Sequence, residues 1–110
     1  MKLSEESVLL RIYLGESDSY KGKALYEQII VKARELHLAG ATALRGIMGF
    51  GAHSHMHSAK LLDLSMNLPV VVEIVDAQEN INKILPFIDE TVTEGLVTIE
   101  KVKVIKHPNN

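Results

Sequence analysis

The chain has 110 residues, 46% of them apolar and 24% charged, with a formal net charge of −2. That is ordinary composition for a globular protein, and it offers no broad attraction to nucleic acid or to an anionic membrane. With no cysteine, disulfides and thiolate chemistry are excluded, and no apolar run approaches the ~20 residues that cross a bilayer.

The length suits a single small domain over residues 1–110. A domain this small has a thin core, so association with its own copies would add stability. Met1-Lys2-Leu3-Ser4-Glu5-Glu6 puts an acidic pair where a signal peptide needs an apolar core. A cytoplasmic location is therefore expected.

The first predicted element is a strand over 8–15. Val8, Leu10, Ile12 and Leu14 alternate with Leu9, Arg11 and Tyr13, the period-two signal. The polar, turn-rich stretch 16–23 reads as a loop. Residues 24–37 read as a helix, with Leu25, Ile29, Ala33 and Leu36 on one face. Gly40 follows where a left-handed C-cap favours glycine. A second strand is expected over 42–48, weakened by Gly46, and a loop over 49–60. Leu61, Leu62 and Leu64 suggest a short helical turn. After Pro69, the run Val70-Val71-Val72-Glu73-Ile74-Val75 is apolar on both faces except at Glu73. It reads as a central strand. A second helix is expected over 77–92, with the stripe Ile81, Ile84, Leu85, Ile88, Val92 and a kink at Pro86. The last strand, 97–105, switches its apolar parity from Val97 and Ile99 to Val102 and Val104. A bulge or bend near Glu100 would explain the switch.

The order βαββαβ gives an α+β, ferredoxin-like fold: one antiparallel sheet with two helices on one face. The bare face is also expected to be apolar, because Val71 and Val75 oppose Val70, Val72 and Ile74. It needs a cover, and the simplest is another copy of the chain.

Several pieces resemble the PII signalling superfamily. Leu38-Ala39-Gly40-Ala41-Thr42 is similar to its helix-to-strand turn, and Gly49-Phe50-Gly51 to the opening of its long mobile loop. Glu73-Ile74-Val75 and Val104-Ile105-Lys106 resemble parts of its third and fourth strands. Over nearly its full length the chain resembles a PII-like family catalogued as domain of unknown function 190. The carrying residues are Arg11-Ile12-Tyr13-Leu14-Gly15-Glu16-Ser17-Asp18, Gly22-Lys23-Ala24-Leu25-Tyr26-Glu27, Leu44-Arg45-Gly46-Ile47-Met48-Gly49-Phe50-Gly51-Ala52 and Leu68-Pro69-Val70-Val71-Val72-Glu73-Ile74-Val75-Asp76.

The resemblance implies a homotrimer that senses a small anionic metabolite, with ATP, ADP or AMP as candidates, in clefts between subunits. The implied ligand-binding residues are Thr42, Arg45, Gly46, Gly49, Phe50, Gly51, Glu73 and Lys106. The loop 52–60 would switch on ligand binding and contact a partner protein. Members of the resembled family are often encoded beside fluoride exporters, so a membrane transporter or channel is an implied partner. The chain departs from PII at Thr93-Glu94-Gly95-Leu96, where a carboxylate stands in a turn that in PII carries a phosphate-binding lysine. Arg45, Lys60 or Lys106 would have to compensate.

Each feature also has a plainer reading. Gly46, Gly49 and Gly51 let backbone amides approach an anion, or they simply bend a hairpin. Arg45 reaches a phosphate bidentately, or it pairs with Glu73 across the sheet. Glu73 needs a cationic or hydrogen-bonding partner in either case. His53, His55 and His57 share one face of an extended segment and could hold zinc or copper, as CutA-like trimers are associated with divalent metal. Otherwise they form a polar loop tip. His57 and Ser58 adjoin without an acid to complete a triad, so no catalysis is expected.

Overall fold

The computed structural model describes residues 6–51 and 67–108. In chain order its elements are β1 (Glu6–Gly15), β2 (Ser19–Tyr20), β3 (Lys23–Ala24), α1 (Leu25–Glu35), β4 (Thr42–Arg45), β5 (Pro69–Asp76), α2 (Gln78–Ile81), α3 (Leu85–Thr91) and β6 (Leu96–Lys103). The main sheet has the order β4-β5-β1-β6, antiparallel throughout. This is the ferredoxin-like arrangement, with β2 and β3 added as a small hairpin.

Period-two alternation decides the two faces of the sheet. Val8, Leu10, Ile12 and Leu14 of β1, with Val70, Val72 and Ile74 of β5, are buried beneath the helices. Leu25, Ile29 and Ala33 of α1 meet them, together with Ile81, Ile84 and Ile88. Each of the Val, Leu and Ile side chains contributes about 1.5–3 kcal/mol on burial. Among the described residues the buried core is built from Val, Leu, Ile and one Ala, with no aromatic side chain.

Asp76 is fully buried on this helical side, and it is an acceptor hub. Its carboxylate accepts from Ala39 N (2.8 Å), Ala77 N (2.7 Å) and Asn80 Nδ2 (2.9 Å). One side chain thus ties the turn after α1 to the start of α2.

Several local expectations are corrected. The segment 16–23 is not a plain loop. Lys21 and Gly22 both have positive φ (53° and 80°), as a two-residue type I′ hairpin turn requires. Gln28 Nε2 donates to the carbonyls of Tyr20 and Lys23 and fastens the hairpin to α1. The left-handed residue after α1 is His37 (φ 59°), not Gly40. Leu38 N bonds Ala33 O and His37 N bonds Arg34 O, the paired closure of a Schellman turn, three residues earlier than the glycine suggested.

The second helix is broken rather than kinked. α2 ends with its C-cap at Asn82, and Pro86 sits in the first turn of α3. A continuous helix would drive the Pro86 ring against the Asn82 carbonyl. Strand β4 stops at Arg45 rather than Met48. Gly46 N still donates to Pro69 O at 2.7 Å, but Pro69 has no N–H to return the bond, so the ladder ends. Strand β6 has no bulge: its pairing with β1 runs unbroken from Glu6↔Lys103 to Tyr13↔Leu96. In register with buried Leu10 and Ile12, Ile99 and Val97 face the helices, whereas Val102 lies on the open face.

Candidate functional site

The open face of the sheet is mixed rather than uniformly apolar. Leu9, Val71 and Val75 are half-buried, and Tyr13, Leu44 and Leu96 are exposed. Across its centre lies a charged triad. Arg11 Nε donates to Glu73 Oε2 at 2.9 Å, and Arg11 Nη1 to Glu100 Oε1 at 2.7 Å. The Glu73 hydrogen bond is the main influence raising the Arg11 pKa further above its ordinary value. Glu73 therefore has the partner its place in an apolar run demanded. That partner is Arg11, and the Arg45–Glu73 pairing considered above does not form.

Arg45 belongs to a different group of residues at the sheet end where β1 stops and β5 begins. Gly15 pairs with Pro69, and Arg45 with Val70. The turn after β1 is locked from several sides. Gly15 N donates to Asp18 Oδ2 (3.0 Å), Ser17 N to Asn67 Oδ1 (3.0 Å), and Glu16 N to Leu68 O (2.8 Å). A Cβ at Gly15 would lie 2.8 Å from Asn67 Oδ1, so a side chain there would push the Asn67 amide away from its bond with Ser17 N. From the locked turn the Glu16 carboxylate reaches the Arg45 guanidinium. Arg45 remains 60% exposed and Glu16 22%. The next glycines pack against the same proline: a Cβ at Gly46 would stand 2.8 Å from Pro69 Cγ, and one at Gly49 3.2 Å. Ile47, Met48 and Phe50 are all exposed.

Arg45, Gly46 and Gly49 thus gather at one sheet end, with Glu16 as an added member; Phe50 and Gly51 are the next residues in the chain. Thr42 and Glu73 face each other in register on the open face, three residues or roughly 10 Å further along the strands. Lys106 is not brought to this cluster. It follows β6 beyond the Lys103–Glu6 pair, so the length of β1, roughly 30 Å for an extended strand, separates it from Arg45 in the same chain. His53, His55, His57 and Lys60 lie outside the described residues.

Sequence reasoning missed the Arg11 partnership and the Glu16–Arg45 pair. The first had a signal: Arg11 shares the odd face of β1 with Leu9 and Tyr13, as Glu73 shares that of β5 with Val71 and Val75. In an antiparallel pairing those faces meet. Asn67 and Asp76 carried no signal beyond their polarity.

A family model described as "Uncharacterized ACR", DUF190, matches residues 7–104. The chain belongs to the DUF190 family. Its relatives include a UPF0166 protein of Aquifex aeolicus, 42% identical over 97 residues, covering 88% of this chain and 91% of the relative. A UPF0166 protein of Methanocaldococcus jannaschii is 37% identical over 99 residues, covering 89% and 91%. A second UPF0166 protein of Aquifex aeolicus is 36% identical over 99 residues, covering 90% and 97%. The DUF190 match runs from the second residue of β1 to just past β6 and includes Glu16 and Arg45; Lys106 falls just beyond it. Among the described residues, no helix is long and apolar enough to cross a membrane.

Proposed function

We propose that this DUF190 protein is a PII-like sensor that binds a small anionic metabolite, an adenine nucleotide first among candidates, and does not transform it. The observation that carries this reading is the sheet end itself. An exposed guanidinium, Arg45, closes β4, and the glycine-rich segment that follows it packs on Pro69. Backbone without side chains beside a cation is suited to a phosphate. In this reading the segment 52–60 reports occupancy to a partner protein, and a membrane transporter or channel fits the family resemblance.

The same reading makes the protein a homotrimer with its sites between subunits. The half-apolar open face favours a covering copy. Lys106, remote from Arg45 in its own chain, would join the site from a neighbour.

The test is a thermal-shift series with ATP, ADP and AMP, read beside light scattering on a sizing column. A native-state ligand raises the midpoint by mass action. The expected result is a trimer whose midpoint rises with at least one nucleotide, with Gly51→Asp losing the shift but not the trimer. A monomer, or a shift equally large in Gly51→Asp, would refute this site.

A further inference from the structure

The geometry points to Glu16 as a built-in competitor for Arg45: an anion binding at this sheet end must displace the Glu16 carboxylate from the guanidinium. This inference rests on the sensor reading and adds a device to its site.

Glu16 is positioned independently of Arg45. Its own N–H is bonded to Leu68 O, and the residues on either side are bonded to Asp18 and Asn67. The carboxylate therefore stays at this edge whether or not the arginine holds it. Arg45 is the looser partner, with a side chain 60% exposed against 22% for Glu16. Its backbone is fixed by β4 and by the Gly46–Pro69 contact, while its long side chain, 60% exposed, has rotatable bonds that let it turn from Glu16 to a ligand.

The other arginine of the sheet is committed elsewhere. Arg11 already pairs with two carboxylates, Glu73 through Nε at 2.9 Å and Glu100 through Nη1 at 2.7 Å. Among the described residues Arg45 pairs with one acid, and a phosphate presents the same forked acceptor geometry with more charge. Exchange of Glu16 for a phosphate replaces one oxyanion by another at the guanidinium. It leaves the Glu16 carboxylate uncompensated beside the new anion. The site therefore binds more weakly than Arg45 alone would allow, and a ligand without a strong oxyanion gains nothing by displacing Glu16.

A purely organising role makes the opposite prediction, because a Glu16 that holds Arg45 ready for the ligand would be needed for binding. The experiment is titration calorimetry with ADP on the wild type, Glu16→Gln, Arg45→Gln and the double variant, each checked for an unchanged fold by its circular dichroism melt. Freeing an exposed ion pair corresponds to about a two- to fivefold gain in affinity. We therefore expect Glu16→Gln to bind ADP two- to fivefold more tightly and Arg45→Gln to bind it more weakly. In the Arg45→Gln background the Glu16→Gln gain should shrink to below about twofold. Glu16→Gln binding at or below wild-type strength, with Arg45→Gln still impaired, overturns the competitor and leaves the sensor site standing. An Arg45→Gln with full affinity, or no ADP binding by any form, overturns both.

Discussion

Gly46→Ala tests whether the sheet end is built as described. The added Cβ would lie 2.8 Å from Pro69 Cγ and 3.5 Å from Pro69 O. Carbon atoms rest at about 3.5–4.0 Å, so the strands must part by about 0.7 Å. The ring cannot move aside alone, because Pro69 is the first residue of β5 and pairs with Gly15. Opening the gap stretches the 2.7 Å bond from Gly46 N to Pro69 O, worth about 0.5–1.5 kcal/mol. Overpacking adds about 1–3 kcal/mol in a closed core, and less here because β4 ends at this point. The net expectation is a loss of about 1–2 kcal/mol, or roughly 5–10 °C in melting midpoint for a domain near this size. Gly40→Ala is the control: nothing lies within 4 Å of its Cβ, and the backbone there is not left-handed. It should be neutral, or stabilising by up to about 1 kcal/mol through the unfolded chain. Urea melts of both variants decide the matter. A Gly46→Ala as stable as wild type, or a Gly40→Ala more damaging than Gly46→Ala, refutes the reasoning.

Asp76→Asn replaces a carboxylate that accepts three hydrogen bonds with an amide that must turn a donor toward one of them. It should cost about 2–4 kcal/mol in urea unfolding, since a bond to a charged group is lost and a buried donor is left facing a donor. On the open face, Arg11→Leu should destabilise more than Glu73→Gln. The former leaves Glu73 and Glu100 without their shared cation, while the latter leaves Arg11 paired with Glu100; equal melting midpoints would count against the triad. The hydrogen bond from Tyr20 Oη to Glu90 (2.5 Å) raises the phenol pKa above its usual value near 10. The folded state then holds this proton more tightly than the unfolded one. Its contribution is complete below about pH 10 and is lost as pH rises through the higher folded value. Urea midpoints measured from about pH 8 to about pH 11 should show an alkaline decline that is smaller in Tyr20→Phe.

Much of the fold was legible because burial imposes a period on each element. Val8, Leu10, Ile12 and Leu14 are the buried side of β1, and Leu25, Ile29 and Ala33 the buried side of α1, as alternation and the helical stripe required. What failed were inferences drawn from single residues. Gly40 looked like a helix cap, but His37 already closes α1 in the left-handed conformation, which histidine tolerates better than most residues. The stripe from Ile81 to Val92 fits one helix as well as two, and only the pyrrolidine of Pro86 decides between them. The parity switch in β6 suggested a bulge or bend, but in this edge strand Val97 and Ile99 are themselves exposed, so burial does not hold its apolar residues to one parity. Long-range pairing was the least legible. Arg45 and Arg11 both lay within sequence reach of Glu73, and only the β1–β5 register, Arg11↔Glu73, selects between them.

That selection changes what each arginine can do. Arg11 sits over the middle of the sheet with its side chain 35% exposed and two carboxylates on one guanidinium. The triad carries one net negative charge among half-buried Leu9, Val71 and Val75. A copy covering this face would desolvate all three groups together. Burying the triad intact costs less than burying two carboxylates stripped of their cation. The Arg11 charge is already outnumbered by two carboxylates, so this network is poorly suited to an anionic ligand, and in the proposed trimer it would fix how copies meet. Arg45, paired with one acid at an exposed corner beside close-packed glycines, has the opposite character. If the proposed trimer forms, Arg11→Leu should weaken it while sparing ligand affinity per assembled site, and Arg45→Gln should weaken the affinity while sparing the trimer. Light scattering and calorimetry on the same two variants separate these effects, and a variant that lost both properties at once would show that assembly and binding share one network.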